Sequence, residues 1–170
     1  MHRFTDSIRK SIQANDWYGA LSTALTLPDV CGRLEKPNSG SQARYVDWFR
    51  VWVQSKYTSE VGPNRIKRVF LHGEDCYALR CCYLHEGGSN IEMQRAQKAL
   101  EDFHFITPIP GCHIHCNQSN NTLQLQVDIF CNDIADSVDQ WLSSVNDDAD
   151  IRKRINNLLI IHDSSEGVRF

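Results

Sequence analysis

One stretch of the chain, running from Gly73 through Arg80 and His85 to Gly87-Gly88, combines residue types able to act on a phosphodiester. Arg80 carries a planar fork of donors suited to phosphate oxygens, and a neutral His85 can take or give a proton near pH 7. RNA cleavage without a metal needs both. The 2′-hydroxyl must lose its proton to attack phosphorus, and the crowded phosphorane must be met by positive charge and hydrogen bonds. Geometry sets a condition. Positions five apart lie about 140° around an α-helix, so the two side chains cannot converge from one face of a straight helix. They converge if the helix frays at Gly87-Gly88, or if a second subunit supplies a matching pair across a two-fold axis. The symmetric arrangement also concentrates positive potential in one cleft.

Other reactive residues read less sharply. Cys112-His113-Ile114-His115-Cys116 has the composition of a metal site. On a strand, however, the cysteines face one way and the histidines the other, so four tetrahedral ligands cannot come from this stretch alone. Cys131 or His104 would have to approach to complete it. The expected reading is inward-packed cysteines, no metal and no cofactor, with a small metal-binding domain as the competing one. Cys76, Cys81 and Cys82 surround Arg80, where a low-pKa thiol is conceivable, but cysteine is among the most frequently buried residues. Arg65 and His72 form a second Arg–His pair at similar spacing. Spacing alone is therefore a weak signal.

The chain has 170 residues, of which 41% are hydrophobic and 23% charged, values ordinary for one soluble globular domain with a single core. Apolar runs such as Leu158–Ile161 are far shorter than the ~20 residues of a membrane helix. The opening residues Met1-His2-Arg3-Phe4-Thr5-Asp6 lack the apolar core of a signal peptide. Seven cysteines, an odd count, point to reduced thiols and a cytoplasmic location. The net charge of −3 argues against a broad nucleic-acid surface. That average hides an asymmetry. Asp128 to Asp150 holds seven Asp and no Lys or Arg, while the remaining residues carry 18 basic and 14 acidic side chains. The acidic stretch is expected to be a solvated face.

The elements that must position Arg80 and His85 read as mostly helical. Phe4, Ile8 and Ile12 mark a first helix. Asn15-Asp16 caps a second, carrying Trp17, Leu21 and Leu25 and expected to end near Leu27-Pro28. Lys36 to Gly40 is a loop. Tyr45, Trp48, Phe49, Trp52 and Val53 give the strongest helical period, with large rings to anchor the core. Val61-Gly62-Pro63-Asn64 breaks it, and a helix is expected from Asn64 to Leu71. Cys76, Leu79 and Tyr83 mark the next, stopping at Gly87-Gly88. Met93 to Asp102 looks helical on propensity.

Between Phe103 and Val127 the period changes to two, at Phe103/Phe105, Cys112/Ile114/Cys116 and Leu123/Leu125/Val127. A small antiparallel sheet is expected there, although Leu123–Val127 also fits the first turn of the following helix. Val127, Phe130, Ile134, Val138, Trp141 and Val145 then form a long amphipathic helix. Asp147-Asp148 caps a last one with Ile151, Ile155, Leu158 and Leu159 inside, and the tail after His162 is expected to be loose. The fold class is mainly α, a helical bundle with a small β insertion around 103–127.

Leu79-Arg80-x-x-x-x-His85-Glu86-Gly87, at the end of a helix in a small helical chain, resembles the signature of the HEPN superfamily. The resemblance covers about ten residues closely and the helical context loosely. It implies a single HEPN-like helical domain over 1–170 that forms a homodimer. An Arg-x4–6-His motif then lines the cleft between subunits, and the activity is metal-independent endoribonuclease chemistry of toxin or anti-phage defence type. On this resemblance Arg80 would be the catalytic residue that binds phosphate and the transition state, and His85 the catalytic acid/base. RNA would be the substrate, with an antitoxin or other regulatory protein as a further partner and no membrane. Cys81 departs from the pattern, since active members commonly carry a polar residue after the arginine. The departure favours the alternative, a catalytically inactive HEPN-like RNA- or protein-binding module.

Overall fold

The computed structural model describes residues 1–167; the end of the expected loose tail, 168–170, lies outside the described residues. Six α-helices and five strands follow one another among them. The helices are α1 (His2–Gln13), α2 (Trp17–Glu35), α3 (Ser41–Trp52), α4 (Gly73–Glu86), α5 (Val127–Ser144) and α6 (Ala149–Asn156). The strands are β1 (Thr58–Val61), β2 (Ile66–Val69), β3 (Asp102–Ile106), β4 (Asn117–Ser119) and β5 (Thr122–Gln126). The architecture is mainly α. Helices α1, α2, α3 and α5 pack around buried Ile8, Leu25, Trp48, Phe49, Phe130 and Trp141, and the Trp48 and Trp141 rings meet edge-on at 6.5 Å.

Helix α2 does not stop at Pro28. Asp16 caps its start by accepting the Gly19 amide at 3.0 Å, and the helix continues to Glu35 with Pro28 buried inside it. A mid-helix proline costs about 3 kcal/mol. The turns beyond it bury Leu27, Cys31 and Leu34, and each such side chain contributes roughly 1.5–3 kcal/mol. Tertiary burial outweighs the local preference. Gly32, in the same stretch, lets the α3 backbone come close: a Cβ there would lie 2.6 Å from the Arg44 carbonyl oxygen.

Residues 64–71 form no helix. Gly62 and Arg65 take positive φ at the turn, and β1 pairs antiparallel with β2 from Thr58↔Val69 to Val61↔Ile66. β-branched residues at both ends of each strand suit this pleat. The expected helix over 93–102 is also absent. Its backbone is bonded elsewhere. The buried Asp75 Oδ1 accepts the amides of Lys98, Ala99 and Leu100 at 2.7, 3.0 and 3.3 Å, while Ile91 and Leu100 pin the segment to the core.

The sheet over 103–127 is mixed, with order β3-β5-β4. β3 runs parallel to β5, and only β4 is antiparallel to it. Leu123–Gln126 is strand and leads directly into α5. Cys112–Cys116 is not a strand; Cys116 has a φ of 54°, outside the extended region. At the C-terminal side Asp148 caps α6 by accepting the Ile151 amide at 2.9 Å. Ile151 is buried, but the helix ends at Asn156 and Leu159 is 78% exposed, not inside.

The acidic face of α5 is not simply solvated. Arg9 of α1 donates to Asp136 at 2.7 Å and to Asp139 at 2.8 Å, and Thr5 adds a bond to Asp139. Asp133 accepts from the Tyr57 hydroxyl at 3.1 Å and lies 3.3 Å from the Lys56 ammonium.

Candidate functional site

Helix α4 is fixed at both ends. Asp75 in its first turn is tied to the 98–100 backbone, as described above. Its last turn closes on Gly87, whose left-handed conformation (φ 72°) lets its amide donate to the Tyr83 carbonyl at 3.0 Å. Cys76, Ala78, Leu79 and Cys82 face the core. Arg80 and His85 leave this helix in different directions, as their spacing requires.

Arg80 is half-buried. One terminal nitrogen lies 3.8 Å from the carboxylate of Asp29 on α2, and another lies 4.0 Å from the Cys81 sulfur. Its Nε is buried with no hydrogen-bond partner among the described residues. Asp29 is shared: Arg44 Nε donates to it at 2.7 Å and the Ser41 hydroxyl at 3.1 Å. Asp75 and Glu86, the residues near Arg80 in sequence, are engaged elsewhere, Glu86 accepting from Gln94 at 3.0 Å. His85 is exposed on the last turn. No hydrogen bond or ion pair joins Arg80 to His85 among the described residues. One chain does not bring the two together.

Between them runs a stripe of half-exposed side chains, Tyr77, Cys81 and Leu84. Taking Tyr77 as the centre, Arg80 lies about 60° to one side and His85 about 80° to the other on an ideal helix. Tyr77 is held against the core by an edge-on contact with Tyr45 at 5.3 Å. The surface between Arg80 and His85 is therefore apolar and firmly based.

Two of the thiols around Arg80, Cys76 and Cys82, are not primed nucleophiles. Burial pushes Cys76 up to about 12, and its sulfur lies 3.3 Å from the Tyr45 hydroxyl. Burial, with Glu86 nearby, also raises Cys82. Arg65 sits at the β1–β2 turn and His72 caps α4, so this second Arg–His pair shares no helix.

In the Cys112–Cys116 segment the split differs from that of a strand. Cys112 and His113 are exposed, whereas His115 and Cys116 are half-buried. His115 Nδ1 accepts the Gln126 amide at 3.3 Å, its ring lies 5.6 Å from Tyr57, and its Nε2 is buried without a partner among the described residues. Among the described residues no three His, Cys, Asp or Glu side chains are grouped so as to hold a metal ion, and no helix there is long and apolar enough to cross a membrane.

Asp29 is the member of the site that sequence reasoning does not supply. Ending α2 at Pro28 leaves Asp29 in a loop, whereas the continued helix carries it to α3 and α4. No family model matches the chain, and no curated protein or solved structure matches it significantly.

Proposed function

We propose that the chain is a HEPN-like, metal-independent endoribonuclease acting as a homodimer, with Arg80 and His85 at the subunit cleft. The observation that carries this reading is the half-exposed stripe Tyr77–Cys81–Leu84, flanked on one side by Arg80 and on the other by His85. A two-fold axis through this stripe buries it and sets Arg80 of one subunit toward His85 of the other. His85 then takes the 2′-hydroxyl proton as the 2′-oxygen attacks phosphorus. The bond to the 5′-oxygen breaks, and that oxygen leaves with a proton from the symmetry-related histidine. Arg80 holds the phosphorane oxygens. The products are a 2′,3′-cyclic phosphate and a 5′-hydroxyl. The seven free cysteines fit a reducing, cytoplasmic setting, and a toxin-type enzyme of this kind calls for a regulatory partner protein such as an antitoxin.

The test is cleavage of RNA in excess chelator by wild type, Arg80→Ala and His85→Ala, with sedimentation of Leu84→Asp. The reading requires at least about a hundredfold loss in each folded variant, consistent with the scale of general acid–base catalysis. It also requires Leu84→Asp to be monomeric and inactive. Undiminished cleavage by both folded variants overturns it.

A second reading, a non-catalytic HEPN-like module binding RNA or protein, is favoured by the contact between Arg80 and Asp29 and by Cys81 beside it. It requires a dimer that binds but leaves every RNA intact.

A further inference from the structure

Tyr18, in the first turn of α2, is 77% exposed, and alone among the Phe, Tyr and Trp side chains of the described residues it lies open on the surface. Among those residues its ring packs on no other ring and carries no cation, and its hydroxyl makes no hydrogen bond. One exposed ring is ordinary by itself. Its setting is not. Ser22 and Asp29 lie about 40° and 20° from Tyr18 around an ideal helix, so the three form one stripe of α2 roughly 16 Å long. That stripe meets α4 at two points. The Tyr83 hydroxyl lies 3.4 Å from that of Ser22 and 3.5 Å from the Tyr18 carbonyl, and one turn earlier Arg80 stands 3.8 Å from Asp29.

Along the α2–α4 seam stand, in order, an open aromatic face, two hydroxyls and a guanidinium. These groups match the base, the ribose and the phosphate of a nucleotide, and each keeps capacity to bind. The Ser22 hydroxyl donates to the Tyr18 carbonyl at 2.7 Å, which leaves its own oxygen free to accept. The contacts of the Tyr83 hydroxyl are long, so its proton is available to a better acceptor. At the far end Arg44 and Arg80 share the one carboxylate of Asp29, which leaves that end of the seam net positive.

We infer that the α2–α4 seam is the track by which single-stranded RNA reaches Arg80, with Tyr18 stacking an unpaired base that flanks the scissile phosphate. This deepens the reading of Arg80 as a phosphate-binding residue and rests on it. A base inside a duplex is already stacked on both faces and cannot lie on the ring, whereas a splayed base can. Every base has a π-face, and a single tyrosine offers no fork of donors to read a base edge. The seam therefore selects unpaired strands over duplexes and discriminates weakly between sequences.

The experiment is fluorescence anisotropy on the full chain with a labelled single strand of 2′-O-methyl RNA, about 8 nucleotides long, at several salt concentrations in chelator. This probe has no attacking 2′-hydroxyl, so binding is read without cleavage. A duplex of the same sequence runs alongside and should bind at least about tenfold more weakly than the strand. Tyr18→Ala should weaken strand binding about tenfold and leave the slope of log affinity against log salt unchanged, because stacking releases no counterions. Tyr18→Phe, which keeps the π-face, should bind as wild type does. Arg80→Ala should instead flatten the salt slope by about 0.7, the loss of one phosphate contact on a single strand. No binding of the strand, unchanged binding by Tyr18→Ala, an equal loss in Tyr18→Phe, or equal affinity for the duplex overturns the inference. The two readings fail separately. A chain that binds the strand through Tyr18 but leaves unmodified RNA intact overturns only the endoribonuclease reading. One that cleaves through Arg80 and His85 while Tyr18→Ala binds unimpaired overturns only the role of the seam.

Discussion

Arg80 on α4 stands 3.8 Å from Asp29 on α2, a looser contact than the 2.7 Å bond by which Arg44 holds the same carboxylate. The two arginines therefore depend on Asp29 unequally. Replacing Asp29 by Asn leaves two guanidiniums facing each other in a site where each side chain is only 15–21% exposed. Breaking a fully buried pair costs 3–5 kcal/mol, and partial exposure reduces this, so Asp29→Asn is expected to destabilise by about 2 kcal/mol. Arg80→Ala should cost under ~1 kcal/mol, because the pair it removes is long. Urea unfolding midpoints compare the two. An Arg80 variant as unstable as Asp29→Asn would make Arg80 a structural residue first.

The close approach of α2 and α3 at Gly32 gives a second expectation. The atom a new Cβ would meet is the Arg44 carbonyl oxygen, part of a helix backbone that cannot rotate away. Gly32→Ala should therefore destabilise by about 1–3 kcal/mol despite alanine's better helix propensity. The same substitution at Gly40, where a Cβ meets nothing within 4 Å, should be nearly silent. Thermal melts of the pair decide it, and equal melting temperatures would contradict the close packing.

Elements with a strong apolar period were legible in the sequence. Tyr45, Trp48 and Phe49 lie at the core as their spacing requires, and α4 ends at Gly87 as its glycine pair signals. What local reading could not reach was decided by distant partners. Pro28 stays helical because Leu27, Cys31 and Leu34 find a core beyond it. Residues 98–100 stay non-helical because Asp75, more than twenty positions away, takes their amides. The parallel pairing of β3 with β5 rests on a crossover between segments that, read singly, look like one meander. The site divides the same way. Arg80 and His85 stand out by residue type, but Asp29 meets Arg80 only once α2 is continued past its proline.

Gly87 offers a local test of how firmly His85 is held. Its φ of 72° lies in the left-handed region, where a side chain is strained, and its amide closes the last turn of α4 on Tyr83. Gly87→Ala should cost about 1 kcal/mol, and Gly87→Asn less, since asparagine tolerates this conformation. Hydrogen exchange at residues 83–87 should rise in the alanine variant. Unchanged protection would place His85 on a turn that does not depend on the glycine.

His115 provides a pH signature separable from the carboxylates. Burial holds its pKa below the ordinary value, with Asp133 opposing and His113 adding to the shift. Its Nδ1 is already accepting the Gln126 amide and its Nε2 has no acceptor among the described residues, so a proton added there meets nothing. Because the folded pKa is depressed, the unfolded chain binds the proton more readily below the unperturbed value near ~6.5. The His115 contribution is therefore full above about pH 6.5 and falls as pH drops toward the folded value. His72, also lowered chiefly by burial, acts in the same direction. Glu74 and Asp47 are lowered too, but their losses begin only as pH falls into the carboxylate range, below about pH 5. Between about pH 5 and 6.5 the histidines act together with the Met1 ammonium, which burial also lowers. His115→Asn keeps an acceptor without a titrating proton and should flatten the urea midpoint across that interval, leaving the steeper acid loss below it in place. A variant whose midpoint falls as fast as that of wild type would assign the interval to His72 and Met1 instead.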